Sequence, residues 1–314
     1  MPDAAPVSAV IPAWNAEKFL PEAVRSVQAQ SLPVSEIIVV DDGSDDRTAA
    51  VAGELGVRLL RQTHQGVAAA RNAGIRAAGQ GWIAFLDADD IWEPEKIEQQ
   101  WNALQKHPSA GMVSCDLCIV ENGEVLSPSS LDPRNPDLDV LYFPQIPHDF
   151  LACQMNYLPS GVLVRREAIL SVGLFDESLH YNEDFECFLR VLARRPLVMV
   201  MRPLVRHRRH AGNASRNTLK MALSYSDVVR RMRRDPERYP PGAALACRKE
   251  SLEMLSCTGR AFAIQGRHRE ARRLLARRLR EQFDFHLFVW WSFTWLSPRM
   301  LQKVIHLRCA PGAS

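Results

Sequence analysis

The sequence predicts an α/β domain, a mainly parallel mixed sheet held between helices, followed by a C-terminal helical extension. Short apolar runs alternate with helical periodicities through the first hundred residues, the pattern of crossovers between parallel strands. Successive runs end in polar or acidic clusters, as expected on the ligand-binding edge of an open sheet. Beyond residue 215 strand signals stop and basic helical segments take over. The predicted boundaries are 1–215 for the α/β domain and 216–314 for a basic, helical, aromatic-rich module.

Val7-Ser-Ala-Val-Ile11 and Glu36-Ile-Ile-Val-Val40 read as buried strands. Between them Phe19, Leu20, Ala23, Val24 and Val27 recur at helical spacing, with Asn15 placed to cap the helix start. Thr48 to Leu55 reads as a second helix, Val57-Arg-Leu-Leu60 as a third strand and Gly66 to Ala78 as a third helix. Trp82-Ile-Ala-Phe-Leu86 is a fourth strand, and Pro94 opens a helix reaching the region of Gln105. Gly111-Met-Val-Ser-Cys115 continues the sheet. Residues 121–156 are irregular and proline-punctuated, the pattern of a binding loop or lid. Regular signals resume with Gly161-Val-Leu-Val164, a helix near Arg166 and another from Glu183 towards Arg194. Ala243 to Ile264 and His268 to Gln282 form an arginine-rich αα-hairpin about Gly266.

The net charge of +3 hides a split between the two parts. Residues 216–314 hold 20 basic and 8 acidic residues, a net +12, whereas residues 1–215 hold 19 and 28, a net −9. Such asymmetry points to modules with different partners. The seven cysteines are odd in number and scattered, which fits free thiols in a reducing compartment. Cys115-Asp-Leu-Cys118 has CxxC spacing but no second ligand pair, so these read as core thiols. The N-terminus lacks the basic and long apolar stretches of a signal peptide. The expected location is cytoplasmic, with peripheral contact at the inner face of the cell membrane.

Three strand ends carry the chemistry: Pro12-Ala-Trp-Asn15, Asp41-Asp-Gly-Ser-Asp45 and Asp87-Ala-Asp-Asp90. The second by itself is ordinary turn chemistry with a helix cap at Ser44. The third places three carboxylates within four residues after a buried strand, and these repel one another unless a cation neutralises them. Few hard oxygen ligands suit Mg2+ or Mn2+ bridged to substrate phosphates. Asp90 also reads as a cap for the helix beginning near Glu93. No GxGxxG follows the first strand and no GxxxxGK[ST] occurs, which argues against dinucleotide binding and P-loop phosphoryl transfer.

Ser8-Ala-Val-Ile-Pro-Ala-Trp-Asn15, Ile38-Val-Val-Asp-Asp-Gly-Ser44, Gly66-Val-Ala-Ala-Ala-Arg-Asn-Ala-Gly74 and Phe85-Leu-Asp-Ala-Asp-Asp90 together resemble the motifs of family 2 glycosyltransferases. The resemblance covers roughly residues 6–215, with the motifs in the family's order. It implies a GT-A fold and inverting transfer from a nucleotide-diphosphate sugar, with UDP the expected nucleotide, to a hydroxyl acceptor. The expected setting is cell-surface polysaccharide or glycolipid assembly. It also implies that Pro12, Ala13 and Asn15 contact the nucleotide and that Asp42 reads the base. Gly66 and Arg71 would lie beside the donor, and Asp87 and Asp89 would form the DxD pair that holds Mn2+ or Mg2+ and the diphosphate.

Inversion in one displacement needs a base for the acceptor's proton. The family's Glu-Asp pair falls on Glu183-Asp184, and Asp184 is the expected base. From position alone both are equally well first-turn acids favoured by the helix dipole. The family's closing segment resembles His207-Arg-Arg-His-Ala-Gly-Asn-Ala-Ser215. Either His207 or His210 fits a metal or diphosphate role there, with His210 preferred because Asn213 and Ser215 follow it. A nucleotidyltransferase would want a glycine-rich basic loop after the first strand, which Pro12-Ala-Trp-Asn15 does not supply. A non-catalytic nucleotide-sugar-binding protein would not need Asp87, Asp89 and Asp184 together.

His286-Leu-Phe-Val-Trp-Trp-Ser-Phe-Thr-Trp-Leu-Ser-Pro298 is rich in aromatics, uncharged from Leu287, and too short to span a bilayer. Together with the basic surroundings it suits an anionic membrane surface, or packing onto the catalytic domain or a second subunit. No nucleic-acid-binding motif accompanies the charge. The expected partners are thus a nucleotide-sugar donor, a saccharide or lipid-linked acceptor and an anionic membrane surface, not nucleic acid.

Overall fold

A computed structural model describes residues 4–129, 139–146 and 158–295. These fall into two compact units, one running to Asn213 and including Pro236–Pro241, the other comprising Ala214–Asp235 and the chain from Gly242. The first unit holds β1 (Ala5–Ala13), α1 (Leu20–Gln28), β2 (Val34–Asp41), α2 (Thr48–Glu54), β3 (Arg58–Arg61), α3 (Val67–Ala77) and β4 (Trp82–Phe85). There follow β5 (Ile91–Trp92), α4 (Lys96–Lys106), β6 (Met112–Glu121), β7 (Glu124–Ser127), β8 (Val140–Phe143), β9 (Leu163–Arg165), α5 (Arg166–Ser171), α6 (Glu183–Leu192) and β10 (Leu197–Arg209).

One sheet runs in the order β3-β2-β1-β4-β9-β6-β10-β5, with β7 on β6 and β8 on β10. It is parallel from β3 through β4. The hand changes at β9, which is antiparallel to both β4 and β6, although β6 and β10 are again parallel. The sheet is therefore mixed, and a mainly parallel description holds for its N-terminal half. β10, the longest strand at 13 residues, carries no expectation from the sequence reading. Its apolar half, Leu197–Val200, is buried between β6 and β8.

The apolar periodicities become the core as their spacing requires. Val7, Ala9, Val10 and Ile11 are buried on β1, and Leu20, Ala23, Val24 and Val27 form the inward face of α1. α3 lies so close to β1 that a Cβ on Gly74 would sit 2.3 Å from Val10 Cγ1, so only glycine allows that approach. Three expected caps are corrected. α1 starts at Leu20 without a side-chain cap, because Asn15 sits at φ +49° and ties two loops together. Ser44 precedes α2 by several residues and donates its amide to Asp41 Oδ1 at 3.1 Å. Asp90 does not cap α4, which begins at Lys96, because its carboxylate is buried in the site described below. Cys115 and Cys118 lie on β6, where an i, i+3 pair points to opposite faces. CxxC spacing there cannot converge on a metal.

Lys96 is fully buried, donating to Gln100 Oε1 at 2.8 Å with its ammonium 4.1 Å from the Trp92 ring centroid. Burial pushes its pKa down to about 8. A lysine with a lowered folded-state pKa costs stability most at and below that value, and the cost disappears as pH rises towards the ordinary lysine range. Native stability relative to Lys96→Met is therefore expected to rise by up to about 3 kcal/mol between pH 8 and 10.5. Denaturant melts of both proteins across that range check it. A difference independent of pH would contradict a charged, desolvated Lys96.

The second unit holds α7 (Thr218–Arg234), α8 (Ala243–Ile264), α9 (His268–Glu281) and α10 (Phe285–Phe293). α8 and α9 form the expected hairpin, turning at Gly266 with φ +75°. Ala222, Leu255, Phe262, Ala271 and Leu274 make its core, with Trp290 packed against it. Trp290 is thus an inward residue. Trp295, Phe283 and Phe285 are exposed, at 65%, 68% and 72%. Among the described residues no helix is long and apolar enough to cross a membrane.

Candidate functional site

The carboxyl ends of β1, β2 and β4 meet on one edge, and their loops are stitched together by side chains. The Asp42 amide donates to Ala13 O at 2.8 Å, the next register step after Pro12 faces Val40 and Ala13 faces Asp41. Asn15 donates its amide to Ser44 Oγ at 2.9 Å, and its Oδ1 accepts from the Asp45 amide at 3.0 Å. Its left-handed backbone permits both bonds at once.

Asp42 is only 2% exposed and organises the loop before α3. Its Oδ1 accepts from Gln62 Nε2 at 2.7 Å and the Gln65 amide at 2.9 Å, and Oδ2 from the Gly66 amide at 2.8 Å. Gly66 itself has φ +95°, a conformation that favours glycine. The Asp42 carboxylate thus shapes this loop. The exposed Trp14 ring stacks on His64 at 4.5 Å above it.

Arg71, on α3, is buried between two carboxylates. One guanidinium nitrogen donates to Asp87 Oδ1 and the other to Glu183 Oε1, both at 2.7 Å. Burial opposes its charge, but the Asp87, Glu183 and Asp184 carboxylates outweigh it and hold the group firmly protonated. Glu183 and Asp184 start α6 directly after Asn182, whose φ of +56° makes the sharp entry. Both are first-turn acids, so the dipole reading holds for position. It does not account for the proton affinity of Asp184. Burial, then the Glu183 carboxylate, push Asp184 up to about 7, against the pull of Arg71 and the Phe185 amide. α6 is anchored from behind by the buried Glu186–Arg190 pair, with Tyr239 donating to Glu186 at 2.7 Å. That bond belongs to the Pro236–Pro241 segment of the same unit.

The three aspartates after β4 have separate surroundings. Asp90 is fully buried, accepting from Ser160 Oγ at 2.6 Å and the Arg208 amide at 3.1 Å, with His207 Nδ1 at 3.0 Å. Burial would lower the His207 pKa, but the Asp90 bond and the nearby carboxylates raise it. Asp89 Oδ2 meets His210 Nε2 at 2.9 Å and Asn213 Nδ2 at 3.0 Å. The Gly212 amide donates to His210 Nδ1 at 3.2 Å, so Nε2 is the protonated nitrogen and donates to Asp89. Phe19, the residue before α1, stacks on His210 with centroids 4.7 Å apart and fixes the ring. Burial, then the Asp90 and Asp87 carboxylates, raise the Asp89 pKa above the usual range, opposed by His210.

Asp87 and Asp89 are each held through one carboxylate oxygen. Among the described residues, no bond engages Asp87 Oδ2 or Asp89 Oδ1. Nor do any three His, Cys, Asp or Glu side chains form a ready metal cage. This donor set fits a cation that takes one or two protein carboxylates and completes its sphere with phosphate and water.

Of the residues singled out from the sequence, Arg71, Asp87, Asp89, Asp184 and His210 gather here, and Pro12, Ala13, Asn15, Asp42 and Gly66 build the adjoining loops. Ser215 lies in the short turn Ala214–Arg216. Ser160 is not singled out by the sequence pattern. It bonds both the Asp87 amide and Asp90, and its only signal was the Pro-Ser-Gly turn at Pro159–Gly161. Of the segment 121–156 expected as an irregular lid, residues 121–129 and 139–146 are described and carry the end of β6, β7 and β8, which corrects the irregular reading there. The rest lies outside the described residues, as does the C-terminal end of the aromatic stretch.

The model of glycosyl transferase family 2 matches residues 8–157. An uncharacterized glycosyltransferase of Rickettsia prowazekii is 30% identical over 232 residues, covering 71% of this chain and 70% of that protein. One from Haemophilus influenzae is 26% identical over 59% of this chain and 62% of that protein. Residues 1–349 of S. aureus TarS, crystallised with UDP-GlcNAc, superpose with a TM-score of 0.68 at 15% identity, covering 98% of this chain and 93% of that one. The fold is that of TarS, a mixed α/β sheet with a C-terminal helical region.

Proposed function

Since the chain belongs to glycosyl transferase family 2, we propose that it transfers a sugar from a UDP-linked donor to a hydroxyl acceptor, with inversion and in dependence on Mn2+ or Mg2+. The observation that carries this reading is the Arg71 bridge. It ties Asp87, a candidate diphosphate-side carboxylate, to the helix turn bearing Asp184. The crystal forms of TarS with UDP-GlcNAc and with UDP support the choice of nucleotide.

Asp87 and Asp89 would hold the cation, with His210 and Asn213 orienting Asp89 rather than His210 acting as a ligand. When bound, the cation supplies positive charge against the leaving diphosphate. The Asp42 loop, with Gly66, Pro12, Ala13 and Asn15, shapes the nucleotide side. Asp184 takes the acceptor hydroxyl's proton as the anomeric carbon is attacked, and the Glu183–Arg71 pair keeps that carboxylate in place. No covalent intermediate is needed. Because Asp184 acts only when ionised and its pKa is raised, turnover is expected to fall with an acid limb well above the ordinary aspartate range.

Asp89→Asn removes a ligand charge while keeping shape and the Asn213 contact. Calorimetric titration with UDP is expected to show Mn2+-stimulated binding in the native protein and little stimulation in the variant. Equal stimulation in both contradicts the assignment.

The second unit is proposed to meet an anionic membrane surface, bringing the enzyme to a membrane-proximal acceptor. Exposed Phe283, Phe285, Phe288 and Trp295 on a net positive module support this, each basic residue near anionic lipid contributing about 1 kcal/mol. Because Trp290 packs inward, the informative variant is Phe283, Phe285 and Trp295 together to Ala. Co-sedimentation with anionic vesicles is expected to fall in it. Equal recovery of the native protein with neutral vesicles contradicts the electrostatic part.

A further inference from the structure

Four arginines in the second unit face a carboxylate. Arg230 and Arg233 pair with Glu281, Arg277 with Asp227 and Arg267 with Glu270. Three basic side chains without such a partner line one cavity. It measures about 370 Å3 and is lined by Lys249, Arg260, Arg278 and His286, with Glu253 and Asp284. Among the described residues Lys249, Arg260 and Arg278 have no carboxylate partner.

Arg278 is the informative residue. It is 8% exposed; Nη1 donates to Gln282 O at 2.6 Å, and its buried Nε has no partner. A buried guanidinium without an anion is costly. Arg278 lines the cavity, and a planar oxyanion is the partner that a guanidinium without a carboxylate takes. Of the two acids, Asp284 is occupied in capping α10 through the Leu287 amide at 3.0 Å. Glu253, exposed on α8, offers an acceptor for a hydroxyl. Leu252 and Leu287 give the cavity an apolar wall. Its size is that of a small-ligand pocket.

We propose that this cavity is an anion site for a phosphate ester, with Arg278 as the buried anchor and Lys249 and Arg260 as the outer clamp. It stands apart from the transferase reading, since none of its residues belongs to the carboxylate site. The phosphate has two sources, a soluble ester or a lipid headgroup. The full chain is titrated with glycerol 3-phosphate and, separately, with vesicles containing phosphatidate, which presents the same group on a lipid.

Binding of either probe identifies the source. In K249A/R260A it is expected to weaken at least about tenfold, as loss of two charge-assisted contacts requires. R273A/R280A, the same charge change elsewhere on α9, is expected to bind within about twofold of native. UDP release from a donor sugar is expected to be unchanged in K249A/R260A, so failure here leaves the transferase reading standing. Equal weakening in both double variants reduces the site to general positive charge and overturns it. So does failure of the native protein to bind either probe.

Discussion

Asp184→Asn is expected to reduce sugar transfer by about 10²- to 10⁴-fold, the range for loss of a positioned general base. UDP and Mn2+ binding should stay within a few-fold of native, because Asp184 shares its surroundings with Arg71 and Asp87 but is not among the groups proposed to hold the cation. The substitution keeps the side chain's size and removes a charge whose proton affinity is already raised to about 7, so the fold should tolerate it. Calorimetry for UDP alongside a transfer assay separates the cases. Joint loss of binding and transfer would place Asp184 in donor binding or in folding.

Arg71→Met should have the broadest effect. It removes the side chain that bridges Asp87 and Glu183 and leaves buried carboxylates without their cation. Breaking a buried pair in this way costs about 3–5 kcal/mol, read as a lowered denaturation midpoint. Activity should fall with it, and the acid limb of any residual turnover should move to higher pH as the Asp184 proton is held more tightly. Arg71→Lys should restore charge but not both bonds, since an ammonium lacks the planar fork. Full recovery in Arg71→Lys contradicts the bridging role.

Much of this site was legible because its motifs are local. Asp87 and Asp89 follow a buried apolar strand, and Glu183 and Asp184 open a helix. What was not legible depends on chain distance. Asp90 reads as a helix cap from its neighbours, yet its partners Ser160 and His207 lie 70 and 117 residues away. Asn15 likewise looks like a cap until the Asp45 amide, 30 residues on, is seen to claim its side chain. Asp42 reads as a base contact by resemblance, and the amides of Gln65 and Gly66 that it accepts from lie 23 and 24 residues on. β10 was overlooked although Leu197-Val-Met-Val200 is an apolar run, because its second half is an arginine- and histidine-rich stretch that does not alternate. The reversal at β9 is a matter of topology, which three residues of strand cannot announce.

Asp87 and Asp89 are proposed to serve a cation-dependent cleavage of a UDP-sugar. This role is tested most directly by measuring UDP released from a panel of UDP-sugars by the native protein, with Mn2+ and with excess chelator. At least one donor is expected to yield UDP in Mn2+, and the release should stop in chelator and return when Mn2+ is restored. UDP release that continues undiminished in chelator would contradict the metal role of Asp87 and Asp89.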